Sequence, residues 1–277
     1  MTESSSDPPA GTGIDTSVPH SARIWNYWLG GKDNYAVDRE AGDAWVAVDP
    51  QITVIARAQR AFISRTVRFL AGEVGIRQFL DIGTGLPTAD NTHEVAQRVA
   101  PDARIVYVDN DPLVLAHARA LLTSTPEGAT RYLHADLHDV PALIEGAAEL
   151  LDFSQPVAVL FMGVLGHVRD TQEAKRAVDA IIARIPSDSY VAICDGTWAS
   201  GSVGAQQAQD EYADTGAVPY RYRTPEEITS LFDGLELVDP GCVSITLWRP
   251  EQPEGVSTIN SDPPAPVDEF GGVARKP

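Results

Sequence analysis

Gln78-Phe79-Leu80-Asp81-Ile82-Gly83-Thr84-Gly85-Leu86-Pro87-Thr88 is the stretch from which the rest of the chain can be read. Phe79 to Ile82 is short and apolar apart from Asp81, and glycine ends it, so the pattern predicts a buried strand running into a loop. Gly83 and Gly85 remove two Cβ atoms where the backbone turns, which leaves the main chain open to close approach by a ligand. Beyond the loop, Asn91 and Glu94 have capping-box spacing, and Val95, Ala96 and Val99 form an apolar stripe, so a helix is expected. Strand, glycine loop and helix is a common opening for a nucleotide-binding unit.

Two features narrow the ligand. Thr88 stands where a dinucleotide fingerprint has its third glycine. Asp81 puts a carboxylate just before the first glycine. It would repel a pyrophosphate seated on the helix N-terminus and attract a ligand carrying an ammonium and a sulfonium, which is the charge pattern of S-adenosylmethionine. The next apolar, β-branched run, Arg104 to Val108, ends at Asp109-Asn110-Asp111-Pro112. Asp109 lies 24 residues beyond Gly85, near the place where nucleotide folds put the acid that binds ribose hydroxyls. Asp111 followed by Pro112 reads as an N-cap with proline at the first helical position, opening a helix through Leu113, Leu115, Ala116 and Leu122.

Composition narrows the partners. The 277 residues include 21 Lys and Arg against 39 Asp and Glu, a net charge of −18, and 43% are apolar, enough for a sizeable core. Such an acidic chain is a poor match for nucleic-acid backbone, where affinity comes from phosphate neutralisation. Cys194 and Cys242 sit inside apolar runs and read as buried residues, not as metal ligands or a disulfide, and no metal site is expected. No signal peptide and no run of about 18 apolar residues is present, so a cytoplasmic, membrane-free protein is expected.

Taken in order, residues 1–20 read as a disordered tail. Residues 21–75 read as a helical segment. Ala22-Arg23-Ile24-Trp25-Asn26-Tyr27-Trp28-Leu29 is aromatic-rich and broken by Gly30-Gly31, and Ile55, Ala58, Phe62, Val67 and Leu70 mark one face of a later helix. Trp25 and Leu29 read as packing residues, whereas the polar run Lys32-Asp33-Asn34-Tyr35 after the double glycine reads as part of a lid over the site. Residues 76–250 form the main domain. A third strand at Thr130 to Ala135 ends at Asp136-Leu137, and a fourth, continuously apolar strand at Val157 to Met162 ends at Gly163 and leads to His167. A helix over Thr171 to Arg184 follows, then a fifth strand at Tyr190 to Cys194, and residues 199–209 form a polar stretch that could cover the pocket. Thr224-Pro225-Glu226-Glu227 starts a helix that stops at Gly234. Leu235 to Val238 and Cys242 to Trp248 read as a hairpin turning at Asp239-Pro240-Gly241, and residues 251–277 as a flexible tail.

Five strands alternating with helices and closed by a hairpin are similar to the class I S-adenosylmethionine-dependent methyltransferases. That is a Rossmann-like α/β fold with a seven-stranded, mostly parallel sheet and a C-terminal antiparallel hairpin, here with an N-terminal helical extension. The segments from Ala22 to Tyr35, Phe79 to Thr88 and Val106 to Pro112 resemble a bacterial family of S-adenosyl methyltransferases of unknown substrate. The resemblance covers roughly Ser21 to Pro250. It implies that Asp81, Gly83 and Gly85 approach the methionine end of S-adenosylmethionine, Asp109 the ribose hydroxyls, and Asp136 with Leu137 the adenine, with Thr84 and Asn110 among the cofactor-binding residues. Met162 and Gly163 complete the pocket, and Arg23, Tyr27 and Asn34 belong to the segment that closes over it. One departure matters: the Asn/Asp-Pro-Pro-aromatic motif of many enzymes acting on exocyclic or amide nitrogens is replaced by Phe161-Met162-Gly163-Val164.

The expected reaction is in-line methyl transfer to a small molecule, with His167, Tyr27, Tyr35 and Asp33 as candidate bases. Two alternatives stay open: a non-catalytic binder of S-adenosylmethionine or S-adenosylhomocysteine acting through a partner, and an NAD-dependent oxidoreductase.

Overall fold

The computed structural model of the chain describes residues 15–87, 90–114, 123–198, 220–250 and 264–277. Three helices come first: α1 (Ser21–Trp28), α2 (Ala36–Val48) and α3 (Ile52–Arg68), the last passing into one π-helical turn at Phe69–Val74. Then follow β1 (Gln78–Ile82), α4 (Thr92–Val99), β2 (Arg104–Asp109), β3 (Ala129–His134), α5 (Val140–Ala147), β4 (Ala158–Met162), a 3-10 turn at Val164–His167, α6 (Thr171–Ile182), β5 (Tyr190–Gly196), α7 (Pro225–Ser230), β6 (Glu236–Leu237), β7 (Val243–Ser244) and β8 (Glu269–Arg275). Thr88, the Leu115, Ala116 and Leu122 part of the helix begun at Pro112, and the polar stretch 199–209 lie outside the described residues.

The sheet runs β3-β2-β1-β4-β5-β8-β6, with β7 also paired to β8. β1 to β5 are mutually parallel; β8 is antiparallel to β5. The chain steps outward from β1 to β3 and then returns to the other side of β1 with β4, so the strand order reverses between β1 and β4. Open α/β sheets bind ligands at such a reversal, beyond the carboxyl ends of the strands.

Period-two alternation divides the core into two layers. Leu80, Ile82, Val106, Val108, Val159 and Phe161 pack on one face with α5 and α6. Phe79, Ile105, Tyr107, Ala158 and Leu160 pack on the other with α3 and α4. Both faces are covered, which explains why β1 and β4 read as unbroken buried runs. Local signals placed the helix starts. The Asn91–Glu94 and Thr224–Glu227 capping boxes both form, with Pro225 at the first helical position of α7. Asp111 Oδ1 accepts from the Leu113 N–H at 2.8 Å, as an N-cap should.

The C-terminal region departs from expectation. The stretches at 235–238 and 242–248 do not pair with each other. They contribute only the two-residue strands β6 and β7, and both lie on β8. Their backbone donors point that way: the Val238 N–H donates to Val273 O and the Ile245 N–H to Glu269 O. The tail expected over 251–277 is therefore no tail at residues 269–275, which form β8, paired along its whole length with β5 and largely buried.

Candidate active site

A cavity of about 370 Å³ lies over the carboxyl ends of β1 to β5, roofed by α1 and walled by α3. Each strand delivers its residues by running out at the same edge.

Gly83 and Gly85, after β1, take φ of 71° and 67°, left-handed values that L side chains resist. The Gly83 and Thr84 N–H groups donate to Val108 O, and the Gly85 N–H donates to Asp109 Oδ2 at 2.8 Å, so β2 holds the loop. A Cβ at Gly85 would meet nothing within 4 Å; the backbone there is open on its outer side. Asp81 accepts from the Thr92 hydroxyl at 2.6 Å. Burial pushes its carboxyl up to about 6, against the Thr92 hydrogen bond and the nearby Arg60. Burial also raises Asp109, opposed by the Asp111 and Gly85 N–H groups that donate to it. After β3, the exposed Asp136 accepts from the His138 N–H at 2.8 Å and from its ring at 2.7 Å, and the backbone bond chiefly holds its carboxyl below the ordinary range.

Asp81, Gly83, Thr84, Gly85, Asp109, Asn110, Asp136, Leu137, Met162, Gly163 and His167 all line this cavity. His167, in the 3-10 turn, meets Tyr220 edge-on with ring centroids 5.2 Å apart.

Five expected residues do not line it: Arg23, Tyr27, Asp33, Asn34 and Tyr35. Their polar groups fasten the N-terminal segment to itself. Buried Arg23 pairs with Asp38 and donates to the carbonyls of Asp15 and Val18. The Tyr27 hydroxyl donates to Asp43, and the Asn34 amide and the Asp33 N–H both donate to Asn26 Oδ1. Tyr35 caps α2, its N–H donating to Asp38 Oδ2 at 2.8 Å, while the Arg23 guanidinium lies over its ring. A run dense in donors and acceptors here serves the loop's own hydrogen bonding. The covering surface comes instead from His20, Ser21, Ala22 and Asn26, with Trp25 and Leu29 both packing and lining.

Sequence reasoning missed several wall residues: Gln59, Arg60, Tyr220, Tyr222 and Glu269. Gln59 left a trace, because it interrupts the Ile55–Phe62 stripe of α3 and is 5% exposed, a polar residue on an apolar face. Arg60 is the one arginine or lysine on the cavity wall among the described residues.

The sheet order, with carboxylates at the ends of β1, β2 and β3, is that of a Rossmann-like α/β domain. The chain belongs to the S-adenosyl methyltransferase family, whose model matches residues 8–277, and the protein is an S-adenosylmethionine-dependent methyltransferase. It is similar over nearly all of its length to two crystal structures. One is a DUF574 family protein from Streptomyces avermitilis, with 44% identity over 95% of this chain and 100% of that one, and a TM-score of 0.86. The other, a methyltransferase candidate from Thermobifida fusca, has 39% identity over 98% and 99%, and a TM-score of 0.84. No curated protein matches the chain. Among the described residues, no helix is long and apolar enough to cross a membrane.

Proposed function

We propose that the cavity holds S-adenosylmethionine against β1 to β3 and a small-molecule methyl acceptor against β4, β5 and α1. What carries the reading is the row of Asp81, Asp109 and Asp136 at three successive strand ends beside a glycine loop with open backbone. The residues fit the cofactor. Asp109 and Asn110 would hold the ribose, Asp136 and Leu137 the adenine, Asp81 the ammonium, and Arg60 the carboxylate. When bound, S-adenosylmethionine supplies a methyl group on a sulfonium, which leaves without needing a proton. The chain's task is then to orient the acceptor and exclude water. Orientation alone can contribute roughly 7–11 kcal/mol in favourable cases. Enclosure under α1 supports an acceptor small enough to enter, and the acidic surface supports one other than nucleic acid. The two free cysteines fit a cytoplasmic location.

Thermal unfolding with S-adenosylmethionine, S-adenosylhomocysteine or NAD tests this. The two adenosyl compounds at a hundred times their dissociation constants add about 2.7 kcal/mol to the native state. That shift is expected to vanish in Asp109→Ala, and NAD is expected to give none. A shift with NAD alone, or none with any of the three, overturns the reading.

A further inference from the structure

Glu269 opens β8 and lines the cavity, yet is only 2% exposed. Its Oε1 accepts from Gln59 Nε2 at 2.7 Å, across 210 residues of sequence. Its Oε2 is buried and has no hydrogen-bond partner. The same Nε2 lies beside Gly163 at the end of β4, 2.8 Å from where a Cβ on that glycine would stand. A buried carboxylate oxygen lacking a donor is an unfinished interaction, and a ligand can complete it.

The walls nearby say what kind of ligand. Trp25, Trp28, Trp45, Tyr222 and Tyr220 all line the cavity and form one chain of rings, with successive centroids 5.5, 5.9, 6.3 and 5.6 Å apart. Burial raises the hydroxyl pKa of both tyrosines and the charge of Glu269 adds to it, and all three residues line the same cavity. Asp268 lies beside it, whereas Arg60, the one Arg or Lys side chain on the wall among the described residues, sits by Asp81. Ring faces and carboxylates without a resident arginine or lysine are complementary to an ammonium on a flat or apolar body.

Resting on the methyltransferase reading above, we propose that the acceptor is an amine on an aromatic or similarly flat apolar body, and that Glu269 holds its ammonium and takes one proton from it. The ammonium gives that proton to Oε2. The freed nitrogen lone pair then forms the new C–N bond as the C–S bond breaks, and the electron pair of that bond stays with sulfur. The product leaves as a methylated ammonium, and the proton on Glu269 passes to water. Burial pushes the Glu269 carboxyl up to about 7, against the Cys194 thiol and the Gln59 amide, with Asp195 adding to the rise. A base in that range works at neutral pH.

The test uses the full chain saturated with S-adenosylhomocysteine, with 2-phenylethylamine and tryptamine compared with 2-phenylethanol and 3-phenylpropanoate. Thermal shift and calorimetry are the readouts. The amines are expected to bind and the isosteres to bind at least tenfold more weakly. Glu269→Gln is expected to weaken the amines by about tenfold or more while keeping the S-adenosylhomocysteine shift, and Glu269→Asp to restore part of the loss. Equal or tighter binding of the alcohol or the acid overturns the proposal. So does amine binding unchanged in Glu269→Gln, or no amine binding by a chain that still answers to S-adenosylhomocysteine. Loss of the S-adenosylhomocysteine response in the wild type is a different result, and strikes the cofactor reading instead.

Discussion

The two ends of the cavity are built by opposite means. At one end, Asp81, Gly85, Asp109 and Asp136 fall within 56 residues and sit at the tips of three adjacent parallel strands. At the other, Gln59, Gly163, Tyr220, Tyr222 and Glu269 arrive from α3, the β4 turn, the segment before α7 and β8. The first end is a property of short stretches of sequence, whereas the second exists only once distant elements have closed on each other. Side chains at the second end should therefore carry more of the stability.

The largest test of that difference is Asp195→Ala. Asp195 is fully buried, pairs with the equally buried Arg223 and accepts from the Tyr220 hydroxyl, while Arg223 also donates to the carbonyls of Leu165 and Val168. Removing the acid leaves a guanidinium uncompensated, which costs about 3–5 kcal/mol. Urea unfolding should show that loss, against about 1 kcal/mol or less for Asp136→Ala at the exposed carboxylate after β3. Equal losses would end the distinction.

Next in size is the pH dependence at Glu269. Its carboxyl titrates near 7 in the folded chain, against an ordinary 4.5, so ionisation is harder after folding. The stability it contributes is complete below about 4.5 and falls away as the pH rises through about 7. Glu269→Gln cannot ionise. It should be the more stable protein at pH 8, by up to about 3 kcal/mol, and close to wild type at pH 4. Denaturant midpoints at the two pH values decide it. A Gln variant less stable at both would make Glu269 a structural residue.

The smallest effect belongs to the glycine loop after β1. Gly85→Ala meets no neighbour, so its cost is the left-handed backbone alone, about 1–2 kcal/mol. Gly83→Ala adds a clash, since its Cβ would lie 2.4 Å from Val164, and should cost more. Chemical denaturation of both variants reads the order, and the reverse order would mean that the loop is held differently.

The legibility of the sequence follows the same division. β1 to β5, both capping boxes and the acid-tipped strand ends were readable because each is fixed by periodicity or capping chemistry within a few residues. β8 was not. Its sequence, Glu-Phe-Gly-Gly-Val-Ala-Arg, carries two glycines, which normally weaken a strand and read as loop. Here Gly271 is needed for close approach, since a Cβ would lie 2.6 Å from Ile193 O on β5. The alternation at 235–248 looked like a hairpin because nothing local reveals that another strand receives it. Asn34 and Asp33 are ambiguous in the sequence for the complementary reason: polar richness cannot show whether its partner is a ligand or Asn26.

The position of β8 has a consequence for how the molecule comes into being. Synthesis runs from the N-terminus, so β6 and β7 emerge before β8, the strand with which they pair, and the far edge of β5 waits as well. One late segment then joins all three and, in the same movement, brings Glu269 to Gln59. A partly made chain can bury its parallel strands and still lack this carboxylate. Completion of the sheet and of the Glu269 end of the cavity thus depends on one and the same late segment.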